Sequence, residues 1–176
     1  RNDDLVAYLL KKGDSIDVKD EGAWTPLASC VRDGRLSSVK AMFENAESPG
    51  RAIEFSHHTY TEEGKNRSLL HLAVYSGNDD LVTYLLEKGA PIDVKDEIGW
   101  TPLSKGVRDG HFPSVKAMFE YVKDHGGAIE FSDHTYTDFG LIRSLIHVAL
   151  DSKIIDDQEV LEFVNTSLAI CNQLKN

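Results

Sequence analysis

Apolar residues recur along this chain at the spacing of short amphipathic helices. The clearest stripe is two residues wide and comprises Leu81, Val82, Leu85 and Leu86. Asp79 and Asp80 precede it, where carboxylates complement the positive end of a helix dipole, and Gly89 follows it. The pattern predicts a helix with one buried face.

A shorter type of helix is predicted ahead of each helix of this kind. Leu27 and Val31 stand at i and i+4, and Thr25 is a suitable N-cap. Pro26 occupies the first helical position, where its missing N–H costs nothing. Glycines then interrupt the chain at equivalent points, namely Gly34, Gly77 and Gly110. Each fits a turn between two helices, so the pattern predicts a series of helix pairs.

The same segments return after 76 residues. Of the 72 positions from 2 to 73, 47 are identical at 78 to 149, which indicates a tandem duplication. Within each unit, Thr25-Pro26-Leu27 has a weaker echo 43 residues later at Ser68-Leu69-Leu70. Another 33 residues separate Ser68 from Thr101. The elementary unit is therefore 33 residues, and every second one carries 10 more.

These segments resemble ankyrin repeats. Residues 77–90 resemble the second helix and loop of such a repeat, and residues 92–103 resemble the hairpin and first helix of the next. Ser68–Ala73 is similar to the family motif T-P-L-H-x-A, with its histidine in place. The resemblance implies an all-α, ankyrin-type helical-repeat solenoid with β-hairpin projections, two of them elongated. Stacked neighbours would bury the apolar faces. The expected divisions are a half repeat at 1–19, repeats at 20–62, 63–95 and 96–138, and a last repeat at 139–176.

Three segments depart from the regular repeat. The predicted helix Asn2–Lys12 lacks its first-helix partner, because the sequence opens inside a repeat. Strand-like alternation in the longer hairpins predicts β-fingers at 52–67 and 128–143. Residues 157–174 carry a single apolar stripe and predict a longer final helix. That helix either caps the stack or leads into further repeats, and its polar face favours the cap.

Composition narrows the class of partner. The 176 residues carry a net charge of −10, and no cluster of Lys and Arg along the sequence offsets it. Such a chain repels nucleic acid and anionic membranes, so neutral or basic proteins are the expected partners. No apolar run approaches the about 18 residues of a membrane span, so no membrane insertion is expected.

The low cysteine content and the first residues of the sequence indicate a cellular compartment. Only Cys30 and Cys171 occur, and the charged start at Arg1 has no apolar segment behind it. A cytoplasmic or other intracellular reducing compartment is therefore expected, with a secreted effector fragment as the alternative.

Catalytic patterns are missing from the sequence. It contains no phosphate-binding glycine loop, no H-E-x-x-H and no G-x-S-x-G. His58 and His134 lie two repeats apart, on the order of 20 Å, whereas a zinc ion needs ligands at about 2 Å. We therefore expect no enzyme activity, cofactor, metal site or small-molecule substrate.

The motif histidines His71 and His147 have a structural role by resemblance, which implies that they hydrogen-bond between repeats. Ala28 and Ser104 replace them in the alternate repeats, so those junctions must be held in another way.

Two tryptophans are the strongest binding candidates. Trp24 and Trp100 precede the capping threonines, at a position that faces the concave groove in ankyrin repeats. Arg67 and Arg143 occupy the same position in the alternate repeats, so a cation–π ladder between repeats is expected. The border of the groove would be formed by Arg32, Asp33, Tyr75, Arg108 and Asp109. The alternative is that each indole packs against a neighbouring finger.

The finger tips are the second binding candidates, around His58, Tyr60, His134 and Tyr136. The resulting hypothesis is a module that binds a protein partner through the groove and the fingers, as a segment of a larger protein. The alternative is a structural or targeting arm of a multidomain effector or toxin whose activity lies elsewhere.

Overall fold

The computed structural model describes residues 2–46, 53–62, 65–125, 136–138 and 141–143. Its helices are α1 (Asn2–Lys11), α2 (Pro26–Arg32), α3 (Leu36–Ala46), α4 (Leu69–Ser76), α5 (Asp79–Glu87), α6 (Pro102–Asp109) and α7 (Phe112–Asp124). Its strands are β1 (Tyr60–Glu62), β2 (Lys65–Arg67), β3 (Tyr136–Asp138) and β4 (Leu141–Arg143). The helix predicted over Asn2–Lys12 thus ends one residue earlier, and the helix predicted over 157–174 lies outside the described residues.

The first helix of each pair begins at a hydroxyl cap. Thr25 Oγ1 accepts the Ala28 N–H at 3.1 Å, and Ser68 and Thr101 cap α4 and α6 in the same way. Pro26 and Pro102 follow two of these caps at the first helical position. These short helices therefore start where the sequence predicts.

The turn after each first helix needs a left-handed residue, and glycine supplies it. Gly34, Gly77 and Gly110 have φ of 68°, 67° and 77°. Asn78 then caps α5 through its Oδ1, and its Nδ2 donates to the carbonyl oxygen of Gly34 at 2.9 Å. One side chain therefore caps its own helix and also ties two repeats together.

The helices stack as expected of an all-α ankyrin-type solenoid. First helices pack in the order α2, α4, α6, while α1 packs on α3 and α5 packs on α7. The predicted core leucines Leu27, Leu70, Leu85 and Leu103 are fully buried; Leu145 lies outside the described residues. No described helix is long and apolar enough to cross a membrane.

Helices α3 and α5 meet through aromatic rings. Phe43 contacts Tyr84 edge-to-face, with ring centroids 5.6 Å apart, and Phe55 lies 6.0 Å from Phe43 on its other side. Phe55 comes from the inserted finger, so the extra residues fill the junction between the two helices. Such pairs each stabilise by about 0.5–1.5 kcal/mol beyond their buried area.

The first finger is only partly a β-hairpin. Strands β1 and β2 pair antiparallel, with Tyr60 opposite Arg67, and β3 and β4 pair the same way in the second finger. The prediction of strand geometry around Phe55 is wrong, because Phe55–His58 forms a 3-10 turn. That turn directs Phe55 and His58 into the repeat stack, and it ends the strand pairing early.

Candidate protein-binding surface

One column of side chains marks the carboxyl ends of the first helices. Arg32, Tyr75 and Arg108 stand at equivalent positions of α2, α4 and α6, seven residues after each cap. Because these helices pack side by side, successive members lie about 10 Å apart. Tyr75 is 58% exposed, and both arginine side chains are more than one third exposed. We call these three residues the first-helix column.

Both arginines of the first-helix column are fixed in place by the same device. The guanidinium of Arg32 lies 4.6 Å from the Trp24 ring, and its Nε donates to Asp33 at 2.9 Å. The Arg108 guanidinium lies 4.8 Å from the Trp100 ring, and its Nε donates to Asp109 at 2.7 Å. A guanidinium held between an indole and a carboxylate loses little side-chain entropy on binding.

The cation over each indole thus comes from the same repeat. The sequence led us to expect a ladder in which Arg67 and Arg143 meet the indoles from neighbouring repeats. Arg32 and Arg108 are the cations that the structure describes over the indoles, and the side chain of Arg143 lies outside the described residues. The first helix is short enough for an arginine in its last turn to reach the tryptophan before its cap.

The two indoles lie beneath the arginines and contribute little exposed area to this surface. Trp24 is half-buried and stacks face to face on Tyr60 of the finger, with the ring planes 18° apart. Trp100 is only 5% exposed. The carboxylates of Asp20 and Asp96 fix the two backbones by accepting the N–H of Trp24 and Trp100 at 2.9 and 2.8 Å. Of the two alternatives for Trp24, packing against the finger is therefore the one observed.

A charged side chain that the sequence analysis missed belongs to this surface. Lys105 is only 11% exposed and pairs with Asp109 one helical turn later. Burial lowers the pKa of Lys105, and the Asp109 carboxylate opposes that effect. Burial raises the pKa of Asp109, but the hydrogen bonds from Arg108 and Lys105 outweigh it, so the net shift is downward. The i,i+4 spacing of Lys105 and Asp109 was the available signal.

His71 joins two repeats, as the resemblance implies. The N–H of Ser68 donates to His71 Nδ1 at 3.2 Å, so the proton lies on Nε2, which donates to the carbonyl oxygen of Trp100 at 2.9 Å. Burial lowers the pKa of His71, and the hydrogen bond to Trp100 opposes it. This bond also fixes the backbone that carries the Trp100 indole. His147 lies outside the described residues.

His58 is not a finger-tip residue, so that prediction is wrong. Its side chain is fully buried. Its Nδ1 lies 3.1 Å from Thr25 Oγ1, and its Nε2 lies 3.3 Å from the carboxylate of Asp17. The motif histidine is replaced by Ala28 in this repeat, and His58 binds the capping hydroxyl from the following finger, as His71 binds Ser68. The finger thus supplies the missing histidine.

Tyr60 is also buried, at 8% exposure, because it lies against Trp24. Its prediction as a finger-tip contact is therefore wrong. His134 and the side chain of Tyr136 lie outside the described residues. Among the residues that the structure describes, no three His, Cys, Asp or Glu side chains are grouped so that they could hold a metal ion.

Comparison with known proteins agrees with the helix pairs and their caps. A family model described as ankyrin repeats (many copies) matches residues 70–119, which run from α4 to α7. The chain belongs to the ankyrin-repeat family. Its relatives include proteins named for their ankyrin repeats.

Three relatives show that segments similar to this ankyrin-repeat chain occur within longer proteins. A probable E3 ubiquitin-protein ligase from Oryza sativa subsp. japonica is 34% identical over 92 residues, which are 52% of this chain and 16% of the relative. An ankyrin repeat domain-containing protein from Xenopus tropicalis is 27% identical over 101 residues, or 57% of this chain and 18% of the relative. A probable 26S proteasome regulatory subunit from Saccharomyces cerevisiae is 25% identical over 118 residues, or 65% and 48%. The chain thus spans less than half of each of these relatives.

Proposed function

We propose that this ankyrin-repeat chain binds a protein partner through the first-helix column. One observation carries the proposal: an exposed tyrosine, Tyr75, stands between two arginines that are already fixed in place. Tyrosine and arginine are enriched where alanine substitution costs the most binding energy. Ankyrin repeats are generally modules of protein–protein interaction, which supports the same assignment.

The roles within the column differ from those expected at first. Tyr75, Arg32 and Arg108 would contact the partner directly, because their side chains are exposed. Trp24 and Trp100 would act as positioning residues, since each supports an arginine from below. Asp33 and Asp109 would set the direction of the guanidinium groups.

The chain offers a matched control for testing this surface. Tyr75 on α4 and Tyr8 on α1 are 58% and 56% exposed, but only Tyr75 belongs to the column. Proteins captured by the immobilised chain would be quantified by mass spectrometry for the parent, Tyr75→Ala and Tyr8→Ala. We expect Tyr75→Ala to lose partners that Tyr8→Ala retains, with all melting temperatures equal. Partners retained by both Tyr75→Ala and Arg32→Ala would rule out the column.

A second candidate function is a structural or targeting arm within a larger polypeptide. The chain matches less than half of the length of relatives that are named as a ligase and a proteasome subunit, and this favours the role of an arm. In that case the repeats would contribute binding, and any chemistry would lie elsewhere. The full reading frame around this sequence tests the idea: a separate catalytic domain in it supports the arm, and a frame that ends near residues 1 and 176 contradicts it.

A further inference from the structure

The first-helix column offers hydrogen-bond donors to a partner. A guanidinium has several N–H donors and no acceptor. The Nε–H of Arg108 donates to Asp109, and within the described part of the chain this is the one hydrogen bond that Arg108 makes. Its side chain is 42% exposed. Its other N–H groups therefore lie where an acceptor of the partner can reach them.

The carboxylates beside the column are already bound by cations. Asp109 pairs with both Lys105 and Arg108. In the first copy, Asp33 pairs with Arg35 at 3.4 Å and with the arginine of the column at 2.9 Å. An N–H group of a partner would have to compete with two cations for each of these carboxylates. The column thus favours a segment that has many acceptors and few N–H donors.

Tyr75 supplies the apolar part of the column. Its side chain is exposed, and it makes no hydrogen bond or ring contact to any other residue that the structure describes. The face of its ring can pack against an apolar side chain of the partner. Flat, exposed rings of this kind are the surfaces on which proline-rich segments dock.

The spacing of the column fits the polyproline II conformation. Neighbouring first helices pack side by side, so the column advances by about 8–10 Å per repeat. A polyproline II segment has three residues per turn and rises about 3.1 Å per residue, so one side recurs after about 9.3 Å. A β-strand fits less well, because its third residue points to the opposite face and one face recurs every 6.6–6.8 Å or so.

An α-helix fits the spacing but not the chemistry. Every seventh residue of a helix lies on the same face, after about 10.5 Å. The backbone carbonyls of a helix, however, accept hydrogen bonds within the helix, so they are not available to the arginines. The apolar stripe of an amphipathic helix would also meet only one exposed ring along the column, that of Tyr75.

We infer that the first-helix column binds a proline-rich segment of the partner protein in the polyproline II conformation, with residues i, i+3 and i+6 over Arg32, Tyr75 and Arg108 in turn. The inference rests on the proposed function. Such a segment has no internal hydrogen bonds, and its prolines lack an N–H, so it presents mainly carbonyl acceptors. A proline ring packs on Tyr75, and Arg108 donates to a nearby carbonyl oxygen. Because the segment is extended before it binds, little conformational entropy is lost.

A random library of 12-residue peptides displayed on phage tests the conformation and the spacing together. The library would be selected on the immobilised chain, and the affinities of selected peptides would be measured by fluorescence anisotropy. We expect enrichment of proline at a spacing of three residues. Replacing those prolines by alanine, or using the Tyr75→Ala or Arg108→Gln variant, should weaken binding about tenfold. The control is Tyr8→Ala, which removes an equally exposed tyrosine outside the column and should bind as the parent does.

Several results would overturn the inference. Selected peptides without proline enrichment would contradict it, and anchors spaced by two or by seven residues would indicate a strand or a helix instead. If peptides of another class bind and depend on Tyr75, the proposed function stands and the proline-rich partner is wrong. A library from which no peptide depends on Tyr75 would count against both. If Arg108→Gln lowers the melting temperature, the proline replacements and Tyr75→Ala still decide.

Discussion

One loop position carries a different residue in each copy of the duplicated unit, and this difference allows a stability prediction. Ala23 has φ of +62°, a left-handed conformation that a residue with a Cβ rarely adopts. Its equivalent 76 residues later is Gly99, with φ of +87°. The two loops are otherwise alike, since Asp20 and Asp96 accept the backbone N–H of the following tryptophan. The loop of the first copy therefore has backbone strain at Ala23 that the loop of the second copy avoids at Gly99.

Exchanging these residues should change stability in opposite directions. Left-handed backbone costs roughly 1–2 kcal/mol for a residue with a Cβ, while glycine costs about 0.4–1 kcal/mol through the greater freedom of the unfolded chain. Ala23→Gly should thus stabilise by about 0.5–1 kcal/mol, and Gly99→Ala should destabilise by a similar amount. A Cβ at Gly99 would meet no atom within 4 Å, so the second effect would come from the backbone alone.

Urea unfolding at 25 °C, followed by circular dichroism, measures both changes. Tryptophan fluorescence adds a local signal, because each loop lies directly before an indole. The double variant is the internal control: the loops belong to separate repeats, so its free energy of unfolding should lie near that of the parent. An Ala23→Gly variant that is less stable than the parent, or a neutral Gly99→Ala, would refute the reasoning from φ.

Three further predictions concern the core, the histidines and the first helix. Leu103→Ala should lower the free energy of unfolding by about 2–5 kcal/mol, because Leu103 is fully buried. Val18→Ala, at an exposed loop position, should change it by less than about 0.5 kcal/mol. Equal losses in the two variants would contradict the assignment of Leu103 to the core. The pKa of His71 is lowered by burial below the usual 6.5 of the unfolded state, so protons bind preferentially to the unfolded chain and stability should fall as pH drops below 6.5. His71→Gln should flatten that part of the pH profile, and an unchanged profile would show that another group is responsible. Helix α1 should exchange amide hydrogens faster than α5, because Leu5 and Leu9 are exposed while their equivalents Leu81 and Leu85 are fully buried. Fusing one upstream copy of the repeat should slow the exchange in α1. Equal exchange rates in α1 and α5 of the present chain would contradict the prediction.

The repeat framework could be predicted because it depends on local chemistry. Hydroxyl caps at Thr25, Ser68 and Thr101 and glycines at the turns each act within a few residues, and the structure has them where they were expected. The apolar periodicity also identified the buried leucines. These signals agree with one another in both copies, and such agreement is typical of sequences that specify a single fold.

The finger could not be predicted in the same way, because its conformation depends on distant partners. Alternating residues around Phe55 are typical of a strand, but Phe55 packs on Phe43 and His58 reaches Thr25. Those tertiary contacts favour a 3-10 turn over the local pattern. The covering of Trp24 by Tyr60 follows from the same path of the chain. The sequence left that alternative open because it does not reveal which side of the indole the finger crosses.

The position of the first-helix column could be predicted from the sequence, but the contacts between its arginines and the tryptophans could be predicted only in part. Arg32 and Arg108 recur at the end of the first helix, so their alignment with Tyr75 follows from the repeat length. Their stacking on tryptophans eight residues earlier depends on the geometry of the cap and the loop.

The contact between His58 and Thr25 also determines where this array can be divided. The repeat 20–62 has no motif histidine, and His58 from its own finger lies against the hydroxyl of Thr25 instead. A block boundary placed between these two residues would separate the capping hydroxyl from its histidine, whereas a boundary after residue 62 keeps both in one block. Length variants of this chain should therefore tolerate block boundaries that keep Thr25 and His58 together better than boundaries that fall between them.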